Sequence, residues 1–288
     1  IIVYPGMYNE SVDVNVANMS ILSYSGNPED TIVRHIGSGC NFFINASNVT
    51  ISGFNITGTN STGVYMSGFS GANISNNKFS GIGCGVQMES STNCTLINNT
   101  VNDSAQYGFY LQSSSNCTVV NNTVSNTTSF GIYLLSAGNC TLTSNTVSDT
   151  DSDGVRLVNS NYCIMANNIA SNTSEAGIYL YNSDSCNFTS NTVSNISLSG
   201  IYLYDSSSCT LAGNTVSSTD YYGIYLDSSS NCNLASNVVS DTYYEGIYLS
   251  NSNSCTLASN TISNTEDGIY LYYSSNCNLT SNNISNIY

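Results

Sequence analysis

Basic residues are nearly absent from this 288-residue sequence: Arg34, Lys78 and Arg156 stand against 18 acidic residues, for a formal net charge of −15. A chain so poor in cations cannot neutralise a phosphate backbone, which excludes nucleic acid as a partner. The same balance argues against docking on an anionic membrane surface. No apolar run approaches the ~20 residues that cross a bilayer as a helix, so no membrane insertion is expected. Tryptophan is missing, proline occurs twice and histidine once. Charged residues make up only 7%, against roughly 25% in ordinary globular domains. Such a composition would suggest disorder if the polar residues were not placed periodically around Ile, Leu, Val and Cys.

The period is plain in the cysteines. Cys94, Cys117, Cys140, Cys163, Cys186, Cys209, Cys232, Cys255 and Cys277 follow one another at 23 residues, with a last step of 22. Glycines keep the same step from Gly108 to Gly268, most of them opening a version of Gly-Ile-Tyr-Leu. Within a unit, apolar and polar residues alternate in three short bursts, as in Ile201-Tyr202-Leu203, Cys209-Thr210-Leu211 and Thr215-Val216-Ser217. Alternation with period two predicts strands, and no window carries the three- and four-residue spacing of an amphipathic helix. A unit this small cannot bury its own apolar face and must stack on its neighbours. Three strands in 23 residues predict an all-β parallel β-helix, a solenoid of roughly ten to twelve rungs about 4.8 Å apart. Residues 1–39 read as an irregular first segment and 40–288 as the repeat array, continuous with it as one domain.

A second column is polar: Asn77, Asn99, Asn122, Asn145, Asn168, Asn191, Asn214, Asn237, Asn260 and Asn282 recur between the second and third strands. Asparagine tolerates the left-handed conformation of a tight corner, and its amide can bond to the copies above and below, so this column is expected to be a structural ladder.

The opening Val3-Tyr4-Pro5-Gly6-Met7-Tyr8-Asn9-Glu10 and the rung Asn48-Val49-Thr50-Ile51-Ser52-Gly53-Phe54 resemble the right-handed parallel β-helix repeat proteins of the NosD/CASH type. The resemblance implies a right-handed solenoid and a protein of archaeal or bacterial surfaces. It is specific for fold and weak for function, since such relatives include sugar-active enzymes, accessory proteins and structural proteins.

Candidates for chemistry are few. Asp149, Asp151 and Asp153, preceding Gly154, match the start of a calcium loop, although Ser160 stands where its closing glutamate would be. Calcium is therefore the one candidate cofactor. Glu175, Asp220, Asp241, Glu245, Glu266 and Asp267 come to the same side on adjacent rungs, giving an acidic edge suited to diffuse cation bridging. His35 has no partner at a triad spacing and reads as an ordinary residue. Stacked cysteines fall inside the Cα window for disulfides, yet a small apolar filler explains the column equally well. Cys40 and Cys84 lie outside the column, and eleven thiols cannot all pair, so these two are candidates for an intermolecular disulfide.

Tyr110, Tyr133, Tyr179, Tyr202, Tyr225, Tyr248 and Tyr270 alternate with inward residues and should form an outward stripe, a candidate interface for another copy or a cell-surface polysaccharide. Sequons at Asn93, Asn116, Asn121, Asn126, Asn139, Asn172, Asn187 and Asn195 are glycosylation candidates and point to an extracellular, cell-surface location. The chain begins directly with strand-like residues, as a mature exported form would. Low charge, an odd cysteine count, the stripe and ends without caps lead to one expectation. The chain should be a structural subunit of an extracellular self-assembling layer, sheath or fibre, with copies of itself as partner and no enzymatic activity. The alternative is a polysaccharide-binding or polysaccharide-processing β-helix protein.

Overall fold

The computed structural model describes residues 1–288 as strands and turns with no helix, an all-β parallel solenoid of about twelve turns with rungs about 23 residues apart. The chain falls into two compact units, Ile1–Thr146 and Val147–Tyr288.

In the first unit, one wall stacks Ser20–Ser23, Thr50–Ser52, Asn73–Ser75, Thr95–Ile97, Thr118–Val120 and Thr141–Thr143, each parallel to the next. The N-terminal strands are less regular. Thr31–Ile44 pairs with Asn55–Ser67 through a register shift between Ile36 and Gly39, and Gly37 and Gly39 take the positive φ that this shift needs. Phe42, Phe54, Phe79 and Phe109 fill the bore here.

The second unit repeats three walls almost without variation. One turn reads Ile201–Tyr204, Thr210–Ala212 and Thr215–Thr219. Ile178, Ile201, Ile224 and Ile247 stack in register. So do Leu211, Leu234 and Leu257, and all seven are fully buried. Burying each such side chain stabilises by about 1.5–3 kcal/mol, so identical residues in identical positions set the register repeatedly. The glycine before each isoleucine is required by close approach: a Cβ on Gly200 would lie 2.7 Å from the Gly223 carbonyl oxygen and collide with Val216.

Four corner residues per turn adopt the left-handed conformation, as at Asn182, Ser185, Ser190 and Asn195. Asn, Ser, Asp and Gly hold nearly all of these positions, because short polar side chains or none tolerate positive φ. The ladder asparagines are not among them. The strained residue is the one before, Ser190 ahead of Asn191 and Gly213 ahead of Asn214, which corrects the corner role expected for the ladder.

The ladder's role lies in its hydrogen bonds. Asn191 donates through both its backbone N–H and Nδ2 to Oδ1 of Asn214, at 2.9 Å each, and Nδ2 also reaches the Met165 carbonyl at 2.8 Å. Asn214 repeats the pattern with Asn237 and Phe188, and in the first unit Asn99 does so with Asn122 and Ile74. Each buried amide thus satisfies a backbone N–H and a carbonyl of the preceding turn, as Asn191 does for Asn168 and Met165, and bonds to the amide of the next. A second buried ladder accompanies it: Ser183 N–H donates to Ser206 Oγ, and Ser206 Oγ donates to the Tyr204 carbonyl. Sequence reading missed it, since these serines do not stand out from a serine-rich background.

Candidate functional site

The second unit's tyrosines arise from simple alternation. In Ile224–Asp227 the isoleucine and leucine point inward, so Tyr225 and Asp227 point outward. Parallel register then aligns Tyr179, Tyr202, Tyr225, Tyr248 and Tyr270 in a row. Ring centroids are 4.6 Å apart for Tyr202–Tyr225 and 5.0 Å for Tyr225–Tyr248, with planes within 11° and 8° of parallel. Rings that close cannot lie side by side, so they overlap face on face. Tyr202, Tyr225 and Tyr248 cover one another's faces, whereas Tyr179 and Tyr270 are tilted by 58° and 43° against Tyr202 and Tyr248. The central rings therefore do not offer a partner the flat stripe of faces that the alternation suggested. In the first unit Tyr110 and Tyr133 stack likewise at 5.2 Å, beside Tyr107 and Phe130.

Tyrosines from the preceding turns widen the patch, and the sequence reading did not include them. Tyr222 lies 5.0 Å from Tyr225 and 4.9 Å from Tyr248, and Tyr244 lies 5.3 Å from Tyr221. Tyr221 is exposed. The signal was available as Tyr221 and Tyr244 one period apart, but loop side chains carry no alternation to orient them.

At the Tyr179 end stands an ion pair between the half-buried Arg156 and the buried Asp153. Arg156 Nη1 donates to Asp153 Oδ2 at 2.8 Å, and its guanidinium lies 4.5 Å over the Tyr179 ring. Asp153 Oδ1 accepts the Ala176 N–H at 2.8 Å. Burial pushes the Asp153 carboxyl up to about 6; the Ala176 N–H and Arg156 pull it down, and Glu175 adds to the rise. Desolvation outweighs the salt bridge here, as it does for many buried charges. Glu175, exposed beside it, accepts from Ser152 Oγ at 2.7 Å. Asp153, Arg156, Glu175, Tyr179, Tyr202, Tyr221, Tyr222 and Tyr225 line one shallow pocket of about 380 Å³. A carboxyl raised to about 6, a second carboxyl group, a guanidinium and aromatic hydroxyls are a set able to move protons on a polyhydroxyl ligand. A second, larger groove of about 660 Å³ runs past Asp220, Asp241 and Tyr243.

The other candidate residues fall as follows. Asp149, Asp151 and Asp153 do not come together, and no cluster of three metal-ligating side chains exists. Asp149 sits at a left-handed corner accepting from Asn172 Nδ2 at 2.9 Å, whereas Asp153 turns inward to Arg156; the calcium expectation is corrected on that geometry. The cysteine column is inward: Cys94 through Cys255 are buried thiols and Cys277 is half-buried. Cys186 Sγ donates to the Ser160 carbonyl at 3.4 Å, and its thiol is pushed up by the flanking sulfurs of Cys163 and Cys209 and by burial. Cys40 is half-buried, but Cys84 is buried, so it cannot reach another chain, and burial pushes its thiol up to about 12. The two share a register column with Thr62 between them. All eight sequon asparagines are exposed, and all but Asn187 occupy left-handed corners. The fold itself therefore favours Asn at these corners. His35 lies at the register shift, 3.5 Å from the Ser38 carbonyl oxygen.

Stacked parallel strands, an inward apolar bore and an ordered outer face define a β-helix repeat protein. The chain belongs to the family described as "Right handed beta helix region", which matches residues 62–216 and 176–288. No curated protein matches the sequence. Among solved structures the chain is similar to the periplasmic alginate epimerase AlgG, with TM-score 0.80 and 18% identity over 93% of this chain and 77% of that one. It is similar to the A-module of the mannuronan C-5 epimerase AlgE4 of Azotobacter vinelandii, with TM-score 0.78 and 14% identity over 99% and 86%. The catalytic unit of a thermostable GH87 α-1,3-glucanase from Streptomyces thermodiastaticus gives TM-score 0.78 and 16% identity over 99% and 63%.

Neighbours described as epimerases and a glucanase overturn two expectations from the sequence: a structural subunit of a layer, sheath or fibre, and a chain without enzymatic activity. They lend no support to a homopolymer of copies of this chain. They favour the alternative, a polysaccharide-binding or polysaccharide-processing protein.

Proposed function

We propose that this chain binds a polysaccharide along the tyrosine row of its second unit and processes it at the Asp153–Arg156–Glu175 pocket. The observation that carries this reading is the continuity of the row with the pocket: Tyr179, Tyr202 and Tyr225 belong to both. The register brings the phenols of successive turns into one row, a set of hydroxyl donors and acceptors for a polymer of sugar hydroxyls. Asp153, whose carboxyl burial pushes up to about 6, is the proton donor of the set, Glu175 the second carboxyl group beside it, and Arg156 the fixed cation between Asp153 and Tyr179. The periplasmic and polysaccharide-acting neighbours support the same reading and an exported location.

The test is product analysis. The intact chain is incubated with a panel of bacterial and plant polysaccharides, and new reducing ends and changed sugar configuration are measured by carbohydrate gel and NMR. Conversion of one polysaccharide is expected, falling at least about 100-fold in Asp153→Asn and in Glu175→Gln, as for loss of a general acid or base. Conversion untouched by both substitutions would refute the pocket assignment.

A further inference from the structure

We propose that the polysaccharide taken by the second unit is uncharged, lying along Tyr179, Tyr202, Tyr225, Tyr248 and Tyr270 with Glu175, Glu245 and Asp267 at one end of the strands and Asp227 at the other; this rests on the polysaccharide reading above. The second unit carries twelve acidic residues, from Asp149 to Asp267, and one basic residue, Arg156. That guanidinium is already engaged by Asp153 at 2.8 Å and covers the Tyr179 ring. The acids are distributed along the row itself. Glu245 and Asp267 directly precede, and Glu175 stands two residues ahead of, the glycines that open the tyrosine strands, and Asp227 lies two residues beyond Tyr225 on the same outward face.

Their closeness shows in the phenols. Tyr225 Oη donates to Asp227 Oδ2 at 3.3 Å. Burial first, and then neighbouring groups that include Asp227, raise the Tyr202 and Tyr225 hydroxyls. Burial and then Glu245 raise Tyr222, and Glu245 also contributes to the rise at Tyr248. The phenols therefore stay neutral donors, and the charge around them is of one sign. A polyuronate, with a carboxylate on every sugar, meets repulsion along the whole row and has no free cation to pair with. A glycan of hydroxyls alone donates to those same carboxylates in charge-assisted bonds and accepts from the phenols. The uncharged choice follows from this charge pattern, and it separates this chain from a binder of alginate-like polymers despite the shared fold.

Affinity electrophoresis of the full chain tests it, with soluble uncharged α- and β-glucans, galactomannan and sodium alginate in the gel, at low and high salt. Retardation by an uncharged polymer is expected, insensitive to salt and lost in the Tyr202→Ser, Tyr225→Ser double variant, whose fold is checked by circular dichroism. Alginate should bind at least about tenfold more weakly at low salt, and the gap should narrow at high salt as the repulsion is screened. The double variant Asp227→Asn, Glu245→Gln should strengthen alginate binding at low salt. Alginate bound as tightly as the uncharged polymers, or indifferent to that variant, would overturn the inference and leave polysaccharide binding standing. Retardation by none of the polymers would sink the polysaccharide reading itself, and the inference with it.

Discussion

At the scale of single residues, two positions carry more than their side-chain size suggests. Asn214 Oδ1 accepts from both the backbone N–H and Nδ2 of Asn191, and its Nδ2 serves the Phe188 carbonyl. Asn214→Ala orphans these buried groups, each worth about 1–3 kcal/mol, so urea unfolding should show a loss of at least about 2 kcal/mol. A loss within the few tenths expected of a surface site would contradict the ladder's role. Asp153 acts in the opposite sense. Its folded carboxyl holds its proton up to about 6, against about 3.9 for an ordinary aspartate, so the folded state binds more protons than the unfolded chain between those values. Its contribution therefore falls as pH rises from about 4 to about 6, by an amount on the order of 3 kcal/mol. Asp153→Asn, which keeps one of the two acceptor oxygens and does not ionise, should differ from the parent in stability by an amount that moves in the variant's favour as pH rises from about 4 to about 6. An unchanged difference across this range would show that Asp153 does not titrate there.

At the scale of elements, the sequence made the strands legible because each one alternates. The inward places of Ile201, Leu203, Cys209, Leu211 and Val216 follow from the alternation, and all are buried. What it could not fix was the backbone conformation of polar residues next to one another. Asn98-Asn99 and Asn121-Asn122 read as one corner, whereas the structure assigns positive φ to the first of each pair and the inward hydrogen bonds to the second. Only stacking decides between two adjacent asparagines of equal propensity. The serine ladder stayed hidden for the same reason.

The cysteine column was legible in place, and its consequence can be measured. Of the eleven thiols only Cys40 and Cys277 are not buried. Alkylation of the reduced native protein should label these two, and labelling of the remaining nine should wait for denaturant. Rapid labelling of Cys209 or Cys232 in the native state would contradict the packing of that wall. The glycine column makes a matching claim: Gly200→Ala, meeting Val216 and the Gly223 carbonyl oxygen, should lower the melting temperature well beyond a surface Gly→Ala change.

At the scale of the whole molecule, regularity and function pull apart. Most of each turn serves stacking, and the repeat is so uniform that a departure from it is informative. Arg156 takes the outward place that Tyr179 and Tyr202 hold in the next turns, and it does so beside the buried Asp153. Both residues were visible in the sequence, but Asp153 read as part of an acidic loop and Arg156 only as an isolated cation. Three residues of separation become an ion pair once the turn folds Asp153 inward, and no alternation announces that. The tyrosine row was legible as a column, although its ring orientation depends on side-chain torsions that spacing along the chain does not contain.

The central claim is that a polysaccharide lies on this row. The most direct test is chemical footprinting: the intact chain is nitrated at tyrosine with and without a bound uncharged glucan, and modification is read residue by residue by mass spectrometry. The account predicts protection of Tyr202, Tyr225 and Tyr248, with Tyr24 and Tyr288, exposed and outside the row, modified equally in both samples. Protection elsewhere, with the row modified as freely in the presence of glucan as in its absence, would contradict it.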